Sequence, residues 1–329
     1  MYELASENLP SGVRCITNGA VHALVMHRRE LLRIGLTGLV ALATQRARAG
    51  SGTPEPMRTR VIPRTGEAIP AIGLGTWQTF DVGASPEARR PLAEVLTKFV
   101  AAGGRVIDSS PMYGKAEEVT GDELAATRLA GTPFVATKVW TSGRKAGVEQ
   151  MQRSMARLRV ETIDLMQVHN LVDVKTHLPA LREWKQAGTI RYLGVTHYQH
   201  AHFDEIERLM RHEQLDFIQI PYSVADRAAE ARLLPAAIDT RTAVLVMTPF
   251  ESGDLFGKVK GVALPSWAAE IDCTSWAQVF LKFILGHPAV TAPIPATSNP
   301  RHVADNVLAG FGRLPDDAMR AQIVKSLGF

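Results

Sequence analysis

The 329-residue sequence lacks the features that mark disulfide-rich and membrane-spanning proteins. Its two cysteines, Cys15 and Cys273, are too few for a disulfide framework or a cysteine-rich metal site. An apolar run from Ile34 to Ala43 is shorter than the roughly 20 residues that span a bilayer. With 46% hydrophobic and 21% charged residues, the composition is that of a globular protein with a sizeable core.

Excess positive charge is also scarce over most of the chain, although the pI is about 9.1. Residues 26–49 carry five arginines and one glutamate, and residues 1–25 carry one arginine and two glutamates. A formal net charge of +1 is therefore left for residues 50–329, out of +4 for the whole chain. This is too little to recognise a polyanion, and we expect no nucleic-acid partner.

The arginine-rich segment resembles a twin-arginine export signal. Arg28 and Arg29 precede the apolar run, and Ala47-Arg48-Ala49 follows it with the small-x-small pattern of a signal-peptidase site. The alternative is an amphipathic or disordered N-terminal extension. The order of the three features favours a signal read by the twin-arginine export machinery.

This interpretation divides the N-terminal region into three parts. We expect residues 1–25 to be a disordered extension upstream of a true start at Met26, residues 26–49 to be the signal peptide, and residues 50–60 to be a linker. The protein would then be periplasmic or otherwise exported, with no stable membrane anchor. It would be cytoplasmic if the segment is not a signal.

From about Thr53 onward, short apolar runs alternate with stretches of helical period. Ser85 before Pro86 is a helix-start signal, and Gly103 and Gly188 stand where helices should end. The predicted strands are Ala71–Leu74, Arg105–Asp108, Phe134–Val139, Asp164–Val168, Tyr192–Val195, Phe217–Ile220, Ala243–Met247 and Val290–Ile294. The predicted helices are Pro86–Ala102, Glu117–Leu129, Val148–Leu158, His177–Gln186, Ala201–Arg211, Ala228–Ile238, Ser275–Leu285 and Arg301–Ala309.

Eight strands alternating with eight helices predict an α/β fold, a closed (β/α)8 TIM barrel that forms a single domain over residues 61–329. An open doubly wound sheet is the alternative. Such a sheet usually carries G-x-G-x-x-G after its first strand, and GLGTWQ, from Gly73 to Gln78, does not match that pattern.

Polar residues stand at the carboxyl ends of the predicted strands, which meet at one mouth of such a barrel. The second strand ends at Asp108, with Tyr113 just beyond, the third carries Lys138, and the fourth is followed by His169. A buried carboxylate needs a partner, and Lys138 is the partner predicted for Asp108. An ammonium beside Tyr113 would favour the phenolate and lower the pKa of the phenol.

Five segments together resemble the aldo-keto reductase family, from about residue 61 to 313. They are GLGTW, D-S-S-P-M-Y-G, TKVW, LMQVHN and IPATSNPRHVADN. The resemblance implies that hydride passes from a nicotinamide cofactor to an aldehyde or ketone. It implies that Tyr113 is the general acid, that Lys138 tunes it, that Asp108 positions Lys138, and that His169 orients the carbonyl. It also implies two tryptophans as walls of the substrate pocket, Trp77 and Trp140; their alternative is an ordinary core position.

The resemblance further implies a cofactor site that prefers NADP(H) to NAD(H). The implied contacts are Thr196, His197, Gln219, Pro249, Phe250, Thr297, Ser298, Arg301 and Asn306. Thr196-His197 stands where many members have Ser-Asn, Ala296 where many have a phosphate-binding lysine, and Thr248 where some have a stacking tyrosine. The helix N-terminus near Arg301 would add backbone N–H groups for a phosphate.

Two other functions are compatible with a barrel of this kind. One is a non-catalytic redox sensor or accessory subunit that binds a dinucleotide. The other is a hydrolase, which would need paired carboxylates or a metal cluster that the strand ends do not offer. We expect no metal site, and the short segment from Asn170 to His177 favours an open site for small aldehydes and ketones.

Overall fold

A β-hairpin followed by a parallel β-barrel makes up the computed structural model, which describes residues 55–329. The predicted extension, signal peptide and first part of the linker, within residues 1–54, lie outside the described residues. Glu55–Phe329 form one compact unit. None of the helices described in it is both long and apolar enough to traverse a membrane.

The strands and helices alternate along the chain as predicted. The strands are β1 (Thr59–Val61), β2 (Ala68–Pro70), β3 (Leu74–Gly75), β4 (Val106–Asp108), β5 (Phe134–Val139), β6 (Ile163–His169), β7 (Ile190–Thr196), β8 (Phe217–Pro221), β9 (Ala243–Met247) and β10 (Val290–Pro293). The α-helices are α1 (Pro86–Ala101), α2 (Ala116–Ala126), α3 (Arg144–Leu158), α4 (Val174–Gln186), α5 (Phe203–Glu213), α6 (Leu233–Asp239), α7 (Asp254–Lys258), α8 (Trp276–Leu285), α9 (Pro300–Asn306) and α10 (Asp317–Ser326).

The eight strands β3 to β10 pair in chain order, and each pair is parallel. The ring closes where the segment containing β3 meets the segment containing β10. There the Gly73 N–H donates to the Pro293 carbonyl at 2.9 Å, and the Gly75 N–H donates to the Pro295 carbonyl at 3.1 Å. The predicted (β/α)8 barrel is thereby confirmed, and the open sheet is excluded.

Closure depends on the absence of a side chain at Gly75. A Cβ atom there would lie 2.7 Å from the carbonyl oxygen of Ile294, closer than real Cβ contacts come. The two backbones can therefore approach to hydrogen-bonding distance only with glycine at this position.

Apolar side chains fill the amino end of the barrel. Ile62 and Ile69 of the hairpin region pack with the first residues of several strands, among them Val106, Phe134 and Phe217. All five are nearly or fully buried. Asp108, Lys138 and His169 stand at the opposite end of the barrel, at or next to the last residues of β4, β5 and β6.

The structure differs from the predicted elements mainly at their ends. The first barrel strand is Leu74–Gly75 rather than Ala71–Leu74, because the Ala71 N–H bonds to the Arg58 carbonyl, in the segment leading into β1. Three predicted helices each divide into an α-helix and a 3-10 turn, which is His200–His202 before α5, Ala228–Ala231 before α6 and Val307–Gly310 after α9. Such breaks depend on backbone angles that hydrophobic spacing does not encode.

Several helix ends follow the predicted signals. The Ser85 side chain accepts a hydrogen bond from the Ala88 N–H at the start of α1. Gly103 and Gly188 follow α1 and α4 with φ values of 94° and 77°, a conformation that costs glycine little. The hairpin, α7 and α10 were not predicted, because three-residue strands, a five-residue helix and a weakly amphipathic helix have little periodicity.

Candidate active site

Strand register brings the predicted polar residues to one mouth of the barrel. Asp108 pairs with Ala136 of β5, whereas Lys138 lies two residues further along β5 and pairs with Gln167 of β6. His169 ends β6 and pairs with Thr196 at the end of β7. Parallel pairing thus converts separate strand ends into one cluster of side chains.

Lys138 and Asp108 form a buried ion pair at the bottom of this mouth. Lys138 Nζ donates to Asp108 Oδ2 at 2.7 Å and to the carbonyl oxygen of Ser109 at 2.7 Å. Burial raises the pKa of the Asp108 carboxyl, and Lys138 offsets this only in part. Burial alone would lower the pKa of Lys138, but the charge of Asp108 and the neighbouring Tyr113 raise it. Lys138 is therefore a charged ammonium held in place, as predicted.

Tyr113 lies beside this ammonium. Lys138 Nζ is 5.1 Å from the centre of the tyrosine ring, and the ring meets that of His169 edge to face at 5.9 Å. Burial raises the pKa of the phenol and outweighs Lys138, which lowers it as predicted. The net direction is opposite to the one expected from the ammonium alone. The phenol is accordingly protonated at neutral pH, as a proton donor must be.

His169 is a neutral imidazole. Burial, together with the charge of Lys138 and the proximity of His197, lowers the pKa of His169 to about 3. Its Nδ1 atom lies 3.0 Å from the Ser110 hydroxyl oxygen, which is fully buried. A neutral ring has one N–H group, and the tautomer with that proton on Nε2 can donate it to a ligand at the mouth.

Gln167 is a residue of this cluster that sequence reasoning missed. It is fully buried two residues before His169, and its side-chain N–H group donates to Gln219 Oε1 at 2.9 Å and to Asp108 Oδ1 at 3.4 Å. The Gln219 amide donates to Asp108 Oδ2 at 3.3 Å. A polar residue within an otherwise apolar strand was the available signal, since alternate residues of a strand share one face.

The two tryptophans predicted for the pocket wall lie at the mouth and not in the core. Trp77 follows β3 and is 45% exposed, and Trp140 follows β5 and is 42% exposed. The Trp140 and His169 ring centres are 6.4 Å apart. The alternative of ordinary core tryptophans is therefore wrong.

Thr196, His197 and Gln219 come together next to this cluster, where a nicotinamide carboxamide is expected. Thr196 pairs with Gln219, and all three residues are buried. Among the described residues, Thr196 Oγ1 has no hydrogen-bond partner although it is buried. An unpaired hydroxyl beside a glutamine amide fits a carboxamide, which both donates and accepts hydrogen bonds.

His197 is oriented by its own loop. Its Nδ1 atom accepts a hydrogen bond from the Gln199 N–H at 3.0 Å, and its ring stacks on His202 with centres 3.7 Å apart. Burial, with a smaller effect of His202, lowers the pKa of His197 to about 4. The ring is therefore neutral, with its proton on Nε2.

The predicted phosphate end of the cofactor site is built differently from expectation. Asn299 accepts a hydrogen bond from the Arg301 N–H through its side chain, and Pro300 has no N–H to offer. The predicted anion site at this helix N-terminus is therefore largely occupied by the chain's own cap. The Ser298 and Arg301 side chains are exposed.

The other predicted cofactor residues lie near this end with less specific contacts. Thr297 and Asn306 are buried, and Thr297 Oγ1 accepts from the Asn299 N–H at 3.0 Å. Pro249 is buried, and Phe250 packs on Phe256 with ring centres 4.9 Å apart. The segment after β9 contains three non-glycine residues with positive φ, which are Thr248, Glu251 and Ser252.

Within residues 55–329, no group of three or more histidine, cysteine, aspartate or glutamate residues is placed to hold a metal ion. The described mouth instead combines a protonated phenol, a charged lysine and a neutral imidazole. This set can donate a proton and a hydrogen bond to an oxygen that gains negative charge.

Comparison with known proteins places the chain among reductases. A model of the Aldo/keto reductase family matches residues 71–325. Methylglyoxal reductase YeaE of Escherichia coli is 28% identical over 258 residues, which cover 76% of this chain and 89% of that protein. An NADH-specific methylglyoxal reductase of the same organism is 27% identical over 230 residues, covering 60% and 68%.

Solved structures agree with the match. The crystal structure of an aldo-keto reductase from Klebsiella pneumoniae in complex with NADPH superposes with a TM-score of 0.70 at 25% identity. The superposition covers 83% of this chain and 96% of that chain.

Proposed function

The chain belongs to the aldo-keto reductase family and is an NAD(P)H-dependent oxidoreductase that reduces carbonyl compounds, and we propose that Tyr113 supplies the proton in this reaction. The observation that carries the proposal is the position of Lys138, which bonds Asp108 at 2.7 Å and lies 5.1 Å from the centre of the Tyr113 ring.

Each residue of the cluster has a distinct task. When bound, the reduced nicotinamide supplies the hydride that the carbonyl carbon accepts. Tyr113 protonates the carbonyl oxygen, and the phenolate that forms is stabilised by the Lys138 ammonium. Asp108 holds Lys138 in position. His169 donates a hydrogen bond to the same oxygen and so orients the carbonyl.

Substitution of the phenol tests this assignment. Tyr113→Phe in the full chain should lower kcat by roughly 10²–10⁴, the usual contribution of general acid catalysis, while NADPH binding is retained. Turnover is followed by the absorbance of the reduced cofactor with methylglyoxal and a panel of other small aldehydes and ketones, and binding by quenching of protein fluorescence.

Tyr192→Phe is the matched control, since Tyr192 bonds Glu67 and Thr65 near the hairpin at the amino end of the barrel. Its kcat should equal that of the wild type. Tight cofactor binding without turnover in the wild type and in every variant would contradict a reductase and favour the redox sensor.

We propose small aldehydes and ketones, including 2-oxoaldehydes, as substrates. The exposed Trp77 and Trp140 leave the mouth open to solvent, and two relatives carry the name methylglyoxal reductase. A kcat/KM for bulky aromatic ketones above that for methylglyoxal would contradict this substrate class.

We further propose that NADP(H) is preferred to NAD(H). The exposed Arg301 and Ser298 support this preference, as does the NADPH in the Klebsiella pneumoniae structure, while one relative is named NADH-specific. Arg301→Ala should raise KM for NADPH about tenfold and leave KM for NADH unchanged, because only NADPH carries the extra phosphate. Equal effects on the KM values of both cofactors would contradict the assignment. The control is Arg313→Ala, on the segment that follows α9 and its 3-10 turn, and it should leave both KM values unchanged.

Finally, we propose that residues 26–49 direct export through the twin-arginine machinery, with translation starting at Met26. The support is the order of paired arginines, apolar run and small-x-small site in the sequence. In a bacterium with this pathway, the protein should reach the periplasm and begin at Gly50 by mass spectrometry. Replacing Arg28 and Arg29 by lysine should retain it in the cytoplasm, whereas Arg46→Lys should not. Wild-type protein found intact in the cytoplasm would contradict export.

A further inference from the structure

We propose that the Ser110 hydroxyl is a positioning group for the reduction, because it selects the ring tautomer in which His169 can donate a hydrogen bond to the substrate oxygen. This inference rests on the function proposed for His169. It concerns a serine that lies two residues after Asp108, in the loop that carries Tyr113.

The hydrogen-bond contacts described for the Ser110 side chain include one acceptor for its hydroxyl proton, which is His169 Nδ1. The residue is fully buried, and its oxygen accepts a hydrogen bond from the Met112 N–H at 3.4 Å. The same oxygen lies 3.0 Å from His169 Nδ1. With one lone pair occupied by Met112, the hydroxyl is free to donate its proton to that ring nitrogen.

The opposite arrangement would leave a buried proton without a partner. If His169 carried its proton on Nδ1, the Ser110 oxygen would accept from two donors. Its own O–H would then have no acceptor among the contacts described for it. A buried donor without an acceptor is costly, so the hydroxyl favours a bare Nδ1 and a proton on Nε2.

The selected tautomer is the one that the reaction needs. A neutral imidazole has one N–H, and with Nδ1 bonded to Ser110 that N–H is on Nε2. The rings of Tyr113 and Trp140 flank His169 at 5.9 Å and 6.4 Å, so the ring stands at the mouth where the carbonyl oxygen must be held. Ser110 thus acts through His169 and not on the substrate.

Kinetics of serine variants test the role. In the full chain with methylglyoxal, Ser110→Ala should lower kcat about tenfold, the scale of one lost hydrogen bond, with KM for NADPH unchanged. Ser110→Thr, which keeps a hydroxyl, should retain most of kcat. Ser154→Ala removes another fully buried serine hydroxyl, on α3 away from the mouth, and should leave kcat as in the wild type.

The tautomer itself is read by nitrogen NMR of protein labelled at histidine, with the His169 signals identified by their loss in His169→Gln. The proton should be on Nε2 in the wild type and distributed over both nitrogens in Ser110→Ala. A wild-type proton on Nδ1, or a Ser110→Ala variant with unchanged tautomer and kcat, would overturn the inference. Wild-type protein that lacks turnover would contradict the proposed function, and the NMR comparison would still decide the role of Ser110.

Discussion

At the residue scale, the mouth of the barrel is a set of polar groups whose charges are set by burial and by one another. The Lys138 ammonium is bonded to Asp108, which in turn accepts hydrogen bonds from two glutamines, Gln167 and Gln219. Because these groups are buried, none can change its charge or orientation without affecting the next. The proton donation proposed for Tyr113 would therefore depend on Asp108 and the two glutamines as well as on Lys138.

Gln167→Met tests this dependence, since methionine has a similar length but no amide. The change leaves Asp108 Oδ1 and Gln219 Oε1 each without one donor, so the free energy of unfolding should fall by about 1–3 kcal/mol. The pKa of Asp108 should rise further, which weakens its hold on Lys138 and lowers kcat. Urea denaturation and the pH profile of kcat measure the two effects.

Gln186→Met is a suitable control for that measurement, because Gln186 is exposed in the last turn of α4. Both its stability and its pH profile should match the wild type. A Gln167→Met variant with wild-type stability and kcat would show that the amide contacts are dispensable.

At the scale of the elements, the junction of β3 and β10 is the place where the barrel closes. The backbones meet there because Gly75 has no side chain, and a Cβ would lie 2.7 Å from the Ile294 carbonyl oxygen. A carbonyl oxygen of the backbone cannot rotate away as the end of a flexible side chain can. The glycine is therefore a requirement of the strand pairing and not of a turn.

Gly75→Ala should accordingly lower the free energy of unfolding by about 2 kcal/mol or more, since the two strands must separate to admit a methyl group. Chemical denaturation measures the loss. Gly257→Ala, in α7, places its methyl group in open space and should be neutral or slightly stabilising. Equal stability of the two variants would show that the junction of β3 and β10 can accommodate a methyl group without loss of stability.

At the scale of the whole molecule, two buried neutral histidines link stability to pH. The pKa values of His169 and His197 are lowered to about 3 and about 4 in the folded protein, and both return to about 6.5 on unfolding. Below pH 6.5 the unfolded chain therefore binds protons that the folded protein does not. The stability that these groups contribute is fully present above pH 6.5 and is lost as the pH falls through about 4 for His197 and about 3 for His169.

His197→Asn removes one of these groups. The fall in the free energy of unfolding between pH 6.5 and 4 should be smaller than in the wild type by about 1–3 kcal/mol. Urea denaturation across this range measures the slope. His212→Asn, at an exposed histidine of α5, is the control and should keep the wild-type slope. A wild-type slope in His197→Asn as well would contradict the proposed link between His197 and stability.

The sequence by itself determined the barrel and most of its strands, because strand runs and helical stretches alternate in hydrophobic patterns that neighbouring residues create. It also determined that Asp108, Lys138 and His169 meet, since parallel strand ends converge in any such barrel. The catalytic roles inferred from the family resemblance stay predictions that the variants above test.

Only the tertiary structure decided which other side chains contact Asp108 and His169. Ser110 contacts His169, and Gln167 contacts Asp108. The two residues of each pair are 59 positions apart in the sequence, so no local sequence pattern encodes these contacts. The tertiary structure also decided that burial outweighs Lys138 in setting the pKa of Tyr113, and that Asn299 caps the helix expected to bind phosphate. Burial and capping depend on how distant segments pack, and are therefore properties of the folded molecule.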